Sequence, residues 1–203
     1  APSAEPAPSQ QPLTLALAAA LDAPLVPHMY TADPSARVFD SRLWLYTSHD
    51  QRGARPDAAR FFDMRDYHVF SVHGADDGPI EDEGVALSVD KVPWAKSDLW
   101  APGGVRREVG GKDTYFLYCP AKDERGDFRI GVATSSRPEG PFAAQPAPIE
   151  QSLSIDPCAF VDDDGQLGVP FGSTMPAIVV DNTTNVIGNG TVQSTRLAVT
   201  SPI

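Results

Sequence analysis

A chain of 203 residues, 41% of them hydrophobic, is long enough to bury a sizeable core as one large domain or as a propeller of a few blades. Its net charge of −11 comes without any cluster of Lys or Arg, which excludes a phosphate-binding surface for nucleic acid and favours a neutral ligand. Acid excess is mainly a solubility property, so only carboxylates in special contexts are candidates for chemistry.

The chain opens on APSAEPAPSQQP, a Pro-, Ala- and Ser-rich stretch without periodicity that cannot fold by itself. Leu13 to Leu21 is an apolar run about the length of a signal-peptide core and too short to span a bilayer, so no membrane segment is predicted. The residues before it hold Glu5 and no Lys or Arg, so an extended start site and a short packing helix stand as alternatives to a signal. Residues 1–23 are therefore read as a low-complexity tail or residual signal region.

From Val38 onward the pattern is all-β: short segments rich in aromatic and β-branched residues, punctuated by Gly, Pro and Asp. Strands are predicted at Arg42 to Ser48, Tyr67 to Val72, Asp113 to Pro120 and Phe128 to Ser135. Lys122 to Asp127, with Gly126, is predicted to join the last two as a hairpin. An apolar lead, an Asp or Gly turn and an alternating strand recur three times, as ARVFDSRLWLYTS, VRREVGGKDTYFLYCP and CAFVDDDGQLGVPFG. Such repetition suggests blades around a centre, because each small sheet buries its faces only against its neighbours; a β-sandwich is the competing architecture on pattern alone.

Cys119 and Cys158 lie in apolar contexts and are expected as buried free thiols rather than a disulfide. His28, His49, His68 and His73 show no paired spacing of the helical zinc type, so no metal cage is expected.

The segment PLVPHMYTADPSARVFD, Pro24 to Asp40, resembles the first blade of glycoside hydrolase family 43, particularly its β-xylosidase and α-L-arabinofuranosidase members. FDMRDYHVFS, GVALSVDKVPWA, LWAP, YFLYCPAKD, FRIGVATSSRPEGPF and SIDPCAFVDDDG resemble successive landmarks of that family in the same order, over about Pro24 to Gly172. The resemblance implies a five-bladed β-propeller, of which residues 24–172 would form two to three blades and residues 173–203 a divergent β segment. It also implies inversion at a central pocket, with Asp33 of the ADP motif as general base, Asp156 of SIDP as the residue that tunes the acid, and a general-acid Glu from a later blade. In inversion one carboxylate activates water while a protonated carboxyl, roughly 6.5–9.5 Å away, donates to the leaving oxygen. A neighbouring like charge keeps that donor protonated.

Without the resemblance, an Asp before Pro is a turn residue with an extended backbone. His28, Met29 and Tyr30 precede the expected base and are candidates to line a sugar subsite, against packing near the strand start. Trp100 is preferred to Trp94 for stacking on a pyranose, because LWAP lies near the pocket in the family; buried packing is the alternative for both. Arg37, Asp66 and His68 sit inside matching motifs as candidate pocket contacts, with inter-blade hydrogen bonding as the default.

The sequence also departs from the family. No Glu follows Glu150, so the acid has no counterpart; Gly103 stands after Pro102 where the family commonly has an acidic residue; and HGADDGPIEDEG replaces a Trp-containing hairpin. Two functions follow. One is a glycosidase releasing terminal xylosyl or arabinosyl units from plant cell-wall oligosaccharides. The other is an inactive truncated propeller that binds carbohydrate or needs a partner chain to complete its ring, with self-association through open edges. The expected partner is an oligosaccharide, with no nucleic acid and no membrane, in a secreted or periplasmic setting; no cofactor is required, and structural calcium is not supported by the sequence.

Overall fold

The structure, a computed structural model, describes residues 24–51, 62–73, 79–162 and 167–169, and the backbone of 177–180 and 186–190. Apart from a 3-10 turn at Val89–Lys91, the described elements are all strands. They form three four-stranded antiparallel sheets, each a run of sequential neighbours. The first holds β1 (Tyr30–Phe39), β2 (Arg42–Asp50), β3 (Met64–His73) and β4 (Ile80–Ser88). The second holds β5 (Gly103–Val109), β6 (Lys112–Lys122), β7 (Phe128–Ser135) and β8 (Ala143–Ala144). The third holds β9 (Phe160–Val161), β10 (Leu167–Val169), β11 (Ala177–Val180) and β12 (Val186–Gly190). This is a partial β-propeller of three blades. The division expected between residues 172 and 173 falls inside the third sheet, and the expected tail at 1–23 lies outside the described residues.

All four expected strands are present, Phe128–Ser135 with the bounds read from sequence and the others longer at their ends. The three recurring phrases are the first hairpin of each sheet. In the first sheet Asp40 and Ser41 turn at φ +51° and +62°, and in the second Gly110 and Gly111 turn at +59° and +77°. Two successive positive-φ residues make the tight turn that matches strand twist. The expected hairpin after β6 is closed by Asp123, whose carboxylate accepts the backbone N–H groups of Arg125 at 2.9 Å and Asp127 at 3.1 Å.

Alternation along β6 distributes its side chains between two cores. Tyr115, Leu117, Cys119 and Ala121 pack with Trp44, Tyr46, Tyr67 and Val69 of the first sheet. Phe116 and Tyr118 pack with Leu167 and Val169 of the third. The second sheet is thus buried on both faces, which explains why its central strand reads as a nearly continuous apolar run.

At the centre, β1 touches β5 and β5 touches β9. Gly103 permits the closest approach, because a Cβ there would lie 2.5 Å from the Pro157 carbonyl oxygen. Arg37 ties the three inner segments together: its guanidinium donates to the Gly104 carbonyl of the second sheet and, at 3.0 Å, to the Ala159 carbonyl beside the third.

Candidate active site

Asp33 sits on a β-bulge. Ala32 pairs with Ser48 and Ser35 with Tyr46, so Asp33 and Pro34 together oppose the single residue Thr47. Pro34 has no N–H to give to the ladder, and a bulge removes that demand. The local conformation corrects the simple expectation for an Asp-Pro pair, because Asp33 adopts φ +51° rather than an extended backbone. Asp156, the other Asp-Pro residue, does the same at φ +57°. Aspartate is among the few residue types that enter this region routinely, so both positions select for it.

The two carboxyls share one electrostatic environment at the inner ends of the first and third sheets. Burial, and then the negative charge of Asp33, push the Asp156 carboxyl above the usual aspartate range. Asp33 also acts on Asp50, which is raised first by burial, with the His49 imidazole opposing and Asp33 and Asp63 adding to the rise. Deep burial, followed by the charges of Cys119 and Asp33, raises the Tyr67 phenol and keeps it neutral. The charge of Asp33 is thus felt at Asp50, Tyr67 and Asp156.

His28 and Tyr30, with Pro27, Met29, His49 and Asp50, line an open cavity of about 230 Å³. Tyr30 is 61% exposed, and His28 holds Asp82 at 3.0 Å through Nε2. Trp100 is not among the residues lining that cavity; its backbone carbonyl accepts the buried Tyr67 hydroxyl at 2.6 Å. Its ring leans on Phe128 with centroids 4.5 Å apart, with the Lys122 ammonium 5.7 Å from its centroid. The indole Nε1 is buried without a hydrogen-bond partner. Trp94 instead packs on the core between the first two sheets.

Three expected pocket residues have other occupations. Arg37 spends its guanidinium on the inter-blade clamp, also donating to the Ala36 carbonyl at 3.2 Å. Asp66 and His68 lie on the opposite face of β3 from Tyr67, where Asp66 bonds His49 Nδ1 at 3.0 Å and His68 Nε2 meets Asp82 at 2.9 Å. The donor atoms of His49, Asp66 and His68 all lie within 4.8 Å of one another, a grouping able to hold a metal ion. Cys119 is buried and free as expected, and burial pushes its thiol up to about 12. Cys158 corrects the expectation: it is free but exposed, because Pro157 and Ala159 on either side take the inward positions.

Sequence reading missed Asp50, Tyr67, Asp98 and Lys122. Asp98 is 3% exposed, sits at φ +61° and pairs with Lys122 Nζ at 3.1 Å, fixing the segment that carries Trp100. The one available signal was local, an acidic residue directly before the apolar Leu99 and Trp100; its cationic partner is far away in sequence.

Strands of neighbouring blades meet at the axis, and Asp33 and Asp156 act on each other electrostatically there, which makes this a β-propeller with an acidic inner site. The chain belongs to glycosyl hydrolases family 43, whose family profile matches residues 23–184. It is 49% identical to xylosidase/arabinosidase 43A of Humicola insolens over 153 residues, which are 74% of this chain and 46% of that protein. It is 44% identical to a xylosidase/arabinosidase of Bacteroides ovatus, covering 73% of this chain and 45% of that protein. Among solved structures, RS223 β-xylosidase superposes with a TM-score of 0.67 at 43% identity, over 74% of this chain and 46% of that one. A compost-metagenome β-xylosidase/α-arabinofuranosidase, solved with xylotriose in a calcium-free form, superposes at 0.70 with 38% identity, over 82% and 59%. The chain spans about half the length of the curated relatives it matches.

Proposed function

We propose that the chain carries the water-activating half of an inverting glycosidase site that acts on terminal xylosyl or arabinosyl units of plant cell-wall oligosaccharides. Asp33 is the general base. It stands on a bulge that turns it out of the strand ladder, and an ionised carboxylate there removes a proton from water as the water attacks the anomeric carbon. Asp156 is the tuning residue, because two nearby carboxyls resist ionising together and the protonated partner of such a set can donate. The observation that carries this reading is that the Asp156 carboxyl, raised first by burial, is raised further by the charge of Asp33, more than a hundred residues away in sequence. His28, Tyr30 and the Trp100 segment are the proposed sugar contacts. A secreted or periplasmic setting, where such oligosaccharides are met, is part of the proposal.

The test compares wild type with Asp33→Asn on activated aryl xylosides and arabinofuranosides, which need little acid assistance. Asp33→Asn is expected to lower turnover by about 10²–10⁴-fold. Equal, background-level turnover in both proteins would end the hydrolase reading.

The alternative reading is sugar binding without hydrolysis, or completion of the ring by a partner chain. It expects xylotriose to bind in calorimetry while turnover on natural oligosaccharides is lacking. Sedimentation as a strict monomer that unfolds cooperatively counts against the partner-completed form.

A further inference from the structure

Strand pairing assembles His49, Asp66 and His68 from positions that look unrelated in sequence. Asp66 and His68 are two apart on β3 and so share a face. His68 pairs with Thr47 and Tyr67 with Ser48 in the ladder, so the same register carries His49 to the position opposite Asp66, just before the shift at Asp50. His49 Nδ1 is 3.0 Å and His68 Nδ1 3.8 Å from Asp66 Oδ1. A tetrahedral zinc-type ion, with ligand bonds of about 2.0–2.2 Å, has donor-to-donor edges of roughly 3.3 Å, between these two values.

A second observation is independent of that spacing. His68 Nδ1 is buried and has no hydrogen-bond partner, its 3.8 Å separation from Asp66 being too long for one. A buried polar atom without a partner needs a physical reason. Meanwhile His68 Nε2 lies 2.9 Å from Asp82 Oδ1, so that carboxylate takes the far ring nitrogen and Nδ1 is the ring atom on the Asp66 side. Asp82 is itself held by His28 Nε2 at 3.0 Å and by the Gly84 backbone N–H at 2.9 Å. A carboxylate that orients an imidazole from its far nitrogen is the usual outer support of a metal-bound histidine.

We propose that His49, Asp66 and His68 form a site for one divalent transition-metal ion of the zinc class. It lies on the face of the first blade turned away from the second, supported by Asp82 and distinct from the Asp33 and Asp156 pair. Two imidazoles and one carboxylate suit zinc, nickel or copper better than magnesium or calcium, which prefer all-oxygen sets. Three protein ligands leave a fourth position for water. The ion would join β2 to β3 and, through Asp82, to β4.

The full chain, stripped of metal by chelator, is titrated with zinc ions by calorimetry, with thermal unfolding followed in parallel. Cobalt(II) substitution reads coordination through its visible absorption. The expected result is one equivalent bound, a rise in Tm, and tetrahedral cobalt bands. His49→Ala, on the more accessible ligand, and His68→Gln should each weaken binding by at least about tenfold and abolish the Tm rise, and Asp82→Asn should weaken it by about 10–100-fold. His73→Ala, whose exposed ring lies 3.8 Å from Glu81, should leave binding unchanged. The proposal is overturned by absence of stoichiometric binding in the wild type, by binding that survives in the folded His49→Ala and His68→Gln proteins, or by equal loss in His73→Ala. In the first case the cluster is a proton-bridged ion-pair chain, with His68 charged between Asp66 and Asp82.

Discussion

The second sheet and the first use the same strand alternation for different ends. In β6 both faces are apolar, Leu117 and Cys119 toward the first sheet and Phe116 and Tyr118 toward the third. In β3 only one face is: Tyr67 and Val69 join the core, while Asp66 and His68 on the other face build a network of imidazoles and carboxylates around the buried Phe70. A sheet between two neighbours is filled with apolar side chains on both sides. A sheet face with no described neighbour holds polar groups that satisfy one another, and there charge and ligation take over from packing.

The largest test of that difference is deletion of apolar volume from each side. Leu117→Ala, at a fully buried position, should cost about 2–5 kcal/mol in denaturant unfolding, since its contacts are lost and the cavity relaxes only partly. Val85→Ser, half-exposed and paired with His68, should stay within about 0.5 kcal/mol. Similar losses at both positions would show that the outer face is covered as the inner one is.

Next in size is the close approach at the axis. Gly103→Ala places a Cβ 2.5 Å from the Pro157 carbonyl, so the backbone must shift at a cost of about 1–3 kcal/mol. Because Pro157 follows Asp156, the same substitution should weaken xylotriose binding in calorimetry by displacing that carboxyl. A loss of stability with sugar affinity intact would separate the axis from the site.

The smallest expected effect is electrostatic. Asp156 has a raised folded-state pKa, so it binds its proton more tightly folded than unfolded. The stability this contributes is complete below the ordinary value of about 3.9 and is lost as pH rises through the raised value. Asp156→Asn should lack that change, so the stability difference between wild type and variant should vary only across this window. Asp33→Asn should narrow the window from its upper side by removing the charge that helps raise Asp156. Carboxyl titration by NMR in both variants checks the sign.

Much of the fold was legible in the chain alone. Aromatic and β-branched runs define the strands, and the threefold phrase identifies the first hairpin of each sheet, because the turn residues Asp40, Gly110 and Gly111 are types that reach positive φ readily. The two Asp-Pro pairs could be singled out by resemblance, and the length of the apolar run in β6 hints at burial on both faces. Other features depend on contacts across the sheets. Nothing local to Asp33 shows that Asp156 feels its charge, that Gly103 must lack a side chain for Pro157 to approach, or that Arg37 clamps three sheets. The spacing of Asp66 and His68 shows only that they share a face of one strand; that His49 joins them is decided by the register between two strands. Local propensity and periodicity are written into neighbouring residues, so sequence determined the strands and their turns. Electrostatic coupling and close approach act through space and were decided by the stacking of the blades, and the grouping of His49, Asp66 and His68 by the pairing of two strands within one of them.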